Sequence, residues 1–142
     1  MEYVLTAAEM KQCDEQTTTE YGIPSLVLME RAALEIARII TERYGTDISV
    51  GIGAGSGNNG GDGIAIARIL QESGVSVQVH LMGEEAKCTE QTRMQIRAAR
   101  MLDIPIHYGM DNYLYDVIVD AIFGIGISRE IEGKYKEVIE GI

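Results

Sequence analysis

The sequence predicts an α/β fold built on a mostly parallel sheet, and three observations carry that prediction. Runs with strand periodicity alternate with runs of helical periodicity along the chain. The stretch ISVGIGAGSGNNGGDG, Ile48 to Gly63, joins a strand-like run to a helix through a loop that is nearly all backbone. Val117, Ile118 and Val119 are apolar without alternation, as expected of a parallel strand covered on both faces.

Thr6 and Glu9 have capping-box spacing, so a first helix is expected over Ala7 to Thr19, before Gly22, Ile23 and Pro24 interrupt it. A second helix follows. Leu26, Met29, Ala33, Ile36 and Ile40 fall on one side at 100° per residue, Arg31, Glu35, Arg38 and Glu42 fall opposite, and Gly45 ends it. Ile48, Val50 and Ile52 then alternate with Ser49, Gly51 and Gly53 as in a strand, and Ile66, Ile69 and Leu70 place a helix over Ile64 to Leu70. Further on, the pattern predicts a strand at Val75–Leu81, a helix near Thr89–Leu102, a short strand at Ile104–Ile106 and a fourth at Tyr115–Ala121. A last helix is expected to hold Tyr135, Val138, Ile139 and Ile142. Four strands with helical crossovers imply a parallel sheet. The chain reads as one domain over 1–142, without repeat, low-complexity segment or linker.

Composition narrows the function classes. A chain of 142 residues with 46% hydrophobic content can bury a core, and no apolar run approaches the ~20 residues of a membrane span. The start, MEYVLTAAEM, lacks a basic region followed by an apolar one, so a cytoplasmic setting is expected. Cys13 and Cys88 have no metal-ligand spacing and are expected to be idle or buried thiols. A net charge of −10 argues against a nucleic-acid surface. An anionic small molecule would therefore have to be held by backbone donors.

The glycine-rich loop is suited to that. Six glycines from Gly53 to Gly63 let the chain turn sharply and approach a ligand, and the helix that follows offers unpaired N–H groups and partial positive charge to a phosphate or other anion. Gly55, Gly57 and Gly60 satisfy G-x-G-x-x-G, yet the second strand ends in Val79, His80, Leu81 and Met82 rather than in a ribose-binding acid, which disfavours a nicotinamide dehydrogenase. Asp62 stands where a P-loop would place its Lys, which disfavours ATP hydrolysis. A second loop, Asp120 to Gly126, leaves the fourth strand. If the two strands are neighbours, Asn58, Asn59, Asp62 and Asp120 gather amide and carboxylate oxygens suited to a hard cation rather than to zinc. Each has a plainer role open to it: Asp62 as a helix-start carboxylate, Asn58 and Asn59 as turn formers, Asp120 as a strand-end polar residue. His80, on a Val-rich strand, and His107, after Pro105, read as structural.

The segments LTAAEMKQCDEQTTTEYGIPSLVLMERAA, GSGNNGGDGIAIARIL and YDVIVDAIFGIGISREI, in that order, resemble the YjeF N-terminal domain, the NAD(P)H-hydrate epimerase family, over nearly the whole chain. GNNGGDG followed about sixty residues later by VDAxFGxG is far more specific than a lone glycine fingerprint. The resemblance implies a Rossmann-like three-layer α/β/α sandwich and interconversion of the R and S epimers of hydrated NADH and NADPH, feeding an ADP- or ATP-dependent dehydratase, fused or separate. It further implies that Asn58, Asn59, Gly60, Gly61 and Asp62 contact the hydrated cofactor, that Asn59 and Asp120 ligate a potassium ion, and that Gly124, Ile125, Gly126, Ile127, Ser128, Arg129 and Glu130 form a second substrate-binding loop. Asp62 is the candidate catalytic acid. Family members continue into an Asp-x-Pro-Ser-Gly segment that nothing in this chain matches, so the domain is expected to be truncated at its C-terminus and its activity alone is in question. A homodimer through a sheet edge or the Leu26 helix is a further expectation. The alternative is a non-catalytic nucleotide-binding or interaction module of the same fold, which retention of Asn59, Asp62 and Asp120 disfavours.

Overall fold

The computed structural model describes residues 24–110 and 114–139, so the helix expected over Ala7–Thr19, and Ile142, lie outside the described residues. In chain order the elements are α1 (Ser25–Tyr44), β1 (Ser49–Ala54), α2 (Asn58–Glu72), β2 (Ser76–Leu81), a 3₁₀ turn (Glu85–Lys87), α3 (Glu90–Met101), β3 (Ile106–Tyr108), β4 (Val117–Ala121), β5 (Gly126–Ile131) and β6 (Lys134–Ile139). The strands form one six-stranded sheet in the order β3-β2-β1-β4-β5-β6. β1 to β4 are mutually parallel, as expected, and β5 and β6 are antiparallel additions at one edge.

Register divides the sheet into two chemically different faces. Val50, Ile52 and Ala54 of β1 pair with Val77, Val79 and Leu81 of β2 and with Val117, Val119 and Ala121 of β4, and all nine side chains are buried. α2 lies on this face through Ile64, Ile66, Ile69 and Leu70, with Ile36 and Ile40 of α1 and Ile96 and Ala99 of α3 in the same core. At ~25 cal/mol per Å² of apolar surface, each such Val, Leu or Ile side chain contributes roughly 1.5–3 kcal/mol. Arg68 of α2 joins the three helices, donating from Nε to Gln95 Oε1 of α3 at 2.9 Å and pairing with Glu30 of α1.

The opposite face carries Gly51, Gly53, Gln78, His80, His107, Ile118 and Asp120. Ile118 is only half-buried, so β4 is not covered equally on both faces as its unbroken apolar run suggested. Gly51 is required here, because a Cβ would stand 2.4 Å from the Tyr115 ring. Tyr115 also ends a hydrogen-bonded clasp on His80. The His80 Nδ1–H donates to the Gly109 carbonyl at 2.8 Å, which leaves Nε2 to accept from the Tyr115 hydroxyl at 2.5 Å. The ring is fully buried, and His107 stacks on it at 5.0 Å.

That clasp has a pH signature. Burial, opposed by the Gly109 carbonyl and reinforced by His107, holds His80 below the ordinary histidine range. The unfolded chain therefore takes up a proton near pH 6.5 that the folded chain refuses, so this contribution is complete above that pH and is lost as pH falls through it toward the lower folded value. The slope reaches at most about 1.4 kcal/mol per pH unit. Urea midpoints between pH 7 and 5.5 should fall more steeply for the wild type than for His80→Gln, and parallel lines would remove His80 as the source.

Two expectations about elements are corrected. α2 begins at Asn58 rather than near Ile64, so NNGGDG is its first turn and a half and Asp62 is its fifth residue. The expected last helix is instead a β-hairpin. Glu132 and Gly133 both have positive φ, at 53° and 81°, the geometry of a two-residue turn that matches strand twist, and Ile131 pairs with Lys134 across it. β-branched Ile127, Ile131 and Val138 suit strands, and the Tyr135 hydroxyl is held by the Tyr115 backbone, accepting from its N–H at 2.6 Å and donating to its carbonyl at 2.5 Å. Cys88 is a buried free thiol whose pKa burial pushes up, in keeping with an idle role.

Candidate functional site

The candidate site lies where the sheet order reverses. β1 is flanked by β2 on one side and β4 on the other, and in such sheets ligands bind outside the carboxyl ends of the strands at that switch. The adjacency that the sequence left open is therefore present, and it brings the loop after β1 against the loop after β4. The Gly55 N–H donates to the Ala121 carbonyl at 3.1 Å, and a Cβ on Gly55 would meet the Ile122 carbonyl oxygen at 2.7 Å.

The loop glycines divide by what surrounds them. A Cβ at Gly60 would stand 1.8 Å from the Gly55 carbonyl oxygen, one at Gly61 would press on Thr92 and Met29, and one at Gly63 would meet Ala121 at 2.6 Å. Those three let α2 sit down on the loop, the neighbouring helices and the sheet. Gly57 has nothing within 4 Å of a Cβ position and an ordinary negative φ, so its bare backbone borders open space.

The loop is held by its carbonyls. Ser56 accepts from the Thr89 N–H at 3.0 Å, and Gly57 accepts from the Thr92 hydroxyl at 2.8 Å and the Gly60 N–H at 3.1 Å. The opposite edge of the peptide chain, the first-turn N–H groups of α2 at Asn58 and Asn59, has no acceptor in the helix itself and is directed outward with the positive end of the helix dipole. Thr89 caps α3 by accepting from the Thr92 N–H at 3.2 Å. The Thr-x-x-Thr spacing marks that cap in the sequence, but the reach of Thr92 to Gly57 depends on the fold and was not readable.

Asn58 and Asn59 open α2, and Asp62 follows them by four and three residues, which puts its half-buried side chain on their helix face. Asp120 pairs in register with Gly53, and its exposed carboxylate accepts from the Ile122 N–H at 3.1 Å through Oδ1. Asn58, Asn59, Gly60, Gly61, Asp62, Asp120 and Gly124 thus gather at one end of the sheet. Gly126, which pairs in register with Asp120, lies at that end too, and the rest of the loop candidates turn away from it. Ile125 and Ile127 are buried in the core, and β5, running antiparallel to β4, carries Ser128, Arg129 and Glu130 from Gly126 by about 7, 10 and 14 Å toward the other end. There Arg129 pairs in register with Val117 and stacks over the Tyr44 ring at 5.2 Å. An antiparallel partner strand was not foreseen, and that is why Arg129 stands away from the helix terminus.

Among the described residues no group of three or more His, Cys, Asp or Glu is placed to hold a metal ion. Asp120 and Asn59 would offer one carboxylate and one amide oxygen, donors that suit a hard cation rather than zinc. No helix among the described residues is long and apolar enough to cross a membrane.

Comparisons with known proteins agree with this architecture. The family model described as YjeF-related protein N-terminus matches residues 25–142. A protein of Levilactobacillus brevis named NAD(P)H-hydrate epimerase is 39% identical, covering 100% of this chain and 66% of its own length. Proteins of the same name from Limosilactobacillus fermentum and Weissella koreensis are 42% and 41% identical, covering 99% and 97% of this chain and 68% and 63% of theirs. The chain spans about two thirds of the length of these relatives. The crystal structure of the yeast protein ynu0 superimposes with a TM-score of 0.69 at 24% identity, over 86% of this chain and 57% of that one, a likeness of fold.

Proposed function

We propose, from the premise that this chain belongs to the family of YjeF-related protein N-termini, that it interconverts the R and S epimers of hydrated NADH and NADPH. The observation that carries the reading is its 36–42% identity, across essentially its whole length, to proteins named NAD(P)H-hydrate epimerase. The presence of Asn58, Asn59 and Asp62 in the first turns of α2, and of Asp120 near the carboxyl end of the neighbouring strand β4, supports it. An acidic chain can hold a pyrophosphate there through backbone N–H groups, without a basic patch.

The chemistry asks for little more. The epimeric carbon bears a hydroxyl and the ring nitrogen. Protonation of the hydroxyl lets it leave as water while the nitrogen lone pair forms the C=N bond, and water returning to the other face gives the opposite epimer. The group that gives the first proton recovers one from the incoming water. Asp62, on the helix face shared with Asn58 and Asn59, is the candidate for that exchange. Asp120 and Asn59 would supply oxygen ligands for potassium, which when bound would offset phosphate charge. The S epimer would pass to an ADP- or ATP-dependent dehydratase, and the exposed Val27 and Leu34 of α1 offer a surface for a homodimer.

The test is to incubate the natural-length protein with the R hydrate, with and without potassium, and to resolve the epimers chromatographically. Acceleration over the spontaneous reaction, enhanced by potassium over an equal concentration of sodium, is expected. No acceleration in either salt would leave a nucleotide-binding module.

A further inference from the structure

Phe123 is the sole phenylalanine of a chain that has no tryptophan, and it is 96% exposed. Its neighbours are not. Ile122 on one side is half-buried, with its Cδ1 3.8 Å from the Cβ position of Gly53 and its carbonyl against Gly55, and its N–H is tied to the Asp120 carboxylate. Ile125 on the other side is 2% exposed in the core. An aromatic ring held out between two anchored isoleucines leaves roughly 150–250 Å² of surface in water, which the sequence could have avoided with any polar residue. It stands three residues after Asp120, in the loop that follows β4, the strand that neighbours β1, and next to Ile122, which touches the glycine loop leading into α2.

We propose that Phe123 is the stacking platform for a planar heterocycle of the substrate, the nicotinamide or the adenine ring of the hydrated dinucleotide. The inference rests on the function proposed above and adds a specificity residue to it. The helix terminus takes the charged middle of the ligand and offers nothing to a flat apolar ring. Phe123 supplies that missing half, with its quadrupolar face available for offset stacking. A phenyl ring can neither give nor take a proton, so it contributes to binding rather than to the proton transfers, and its loss should appear in KM and not in kcat.

Two measurements test this. In the epimerisation assay Phe123→Ala should raise KM about tenfold, as loss of a base-stacking aromatic does, with kcat changed less than threefold, and Phe123→Tyr should restore KM. An unchanged KM in an enzyme that still epimerises would overturn the platform and leave the proposed function standing. Phe123→Trp installs a single tryptophan, whose fluorescence can be titrated with nicotinamide mononucleotide and with AMP even if the protein does not epimerise. Quenching by the first assigns the nicotinamide ring, and quenching by the second the adenine. Quenching by neither, or a melting temperature for Phe123→Ala well below that of the wild type, would overturn the inference by showing a ring that meets no nucleotide or one that packs within the protein.

Discussion

Gly60→Ala should unseat the candidate site and destabilise the fold by about 3 kcal/mol or more, although it replaces the poorer helix former with the best one. Propensity alone favours alanine by roughly 1 kcal/mol in a helix interior. Against that, the new Cβ would lie 1.8 Å from the Gly55 carbonyl oxygen, a backbone atom that has no rotamer to escape into. Either α2 lifts or the loop moves. If α2 lifts, Gly63 loses its contact with Ala121 and Ile52, and the apolar face of Ile64, Ile66 and Leu70 separates from the sheet. If the loop moves, the Ser56 and Gly57 carbonyls leave the Thr89 N–H and the Thr92 hydroxyl. Both routes break something buried. Gly57→Ala is the control, since nothing lies within 4 Å of its Cβ position and its φ is −78°. It should change stability by no more than about 0.5 kcal/mol while weakening ligand binding, because it fills only space that a ligand would use. Urea denaturation of both variants decides the matter. Equal midpoints would mean that the loop and α2 have room for a Cβ at Gly60.

This contrast also bears on what could be read from the sequence. The parallel core was legible because its signal is local. Val50 and Ile52, Val77 and Val79, and Val117 and Val119 each carry strand character, and the helical periods between them fix the crossovers. The sequence pattern puts the helix start six residues late because Gly60, Gly61 and Gly63 disfavour a helix on propensity, and the contacts that override it, with the Gly55 carbonyl, Met29, Thr92 and Ala121, are made only in the fold. The β5–β6 hairpin was missed for a related reason. Tyr135, Val138 and Ile139 satisfy helical spacing, whereas the deciding features are the two positive-φ residues at Glu132 and Gly133 and the open edge of β4 that β5 occupies. Of the site, GNNGGDG and Asp120 were recognisable, and their convergence needed only β1 and β4 to be neighbours. The exclusion of Arg129 needed the direction of β5, which no residue in the loop announces.

Asp62→Asn in the natural-length protein is expected to lower kcat for epimerisation by 10²- to 10⁴-fold, the usual scale for removing a general acid, with KM changed less than threefold. The substitution is close to isosteric and keeps an oxygen acceptor on the helix face shared with Asn58 and Asn59, so packing around the half-buried side chain should be retained and stability should shift by about 1 kcal/mol or less. What it removes is the proton. An amide cannot protonate the departing hydroxyl or recover a proton from water, whereas both can still occur slowly through solvent, which is why a residual rate should persist. Asp120→Asn separates this role from cation binding. The Asp120 carboxylate already accepts the Ile122 N–H and faces outward, so its loss should raise the potassium concentration needed for half-maximal rate and be offset by added salt. Potassium should do nothing for Asp62→Asn. If the two variants respond alike to potassium, the assignment of separate acid and cation roles fails. If Asp62→Asn epimerises at the wild-type rate, the proton comes from water or from another group, and the helix terminus serves only to hold the phosphates.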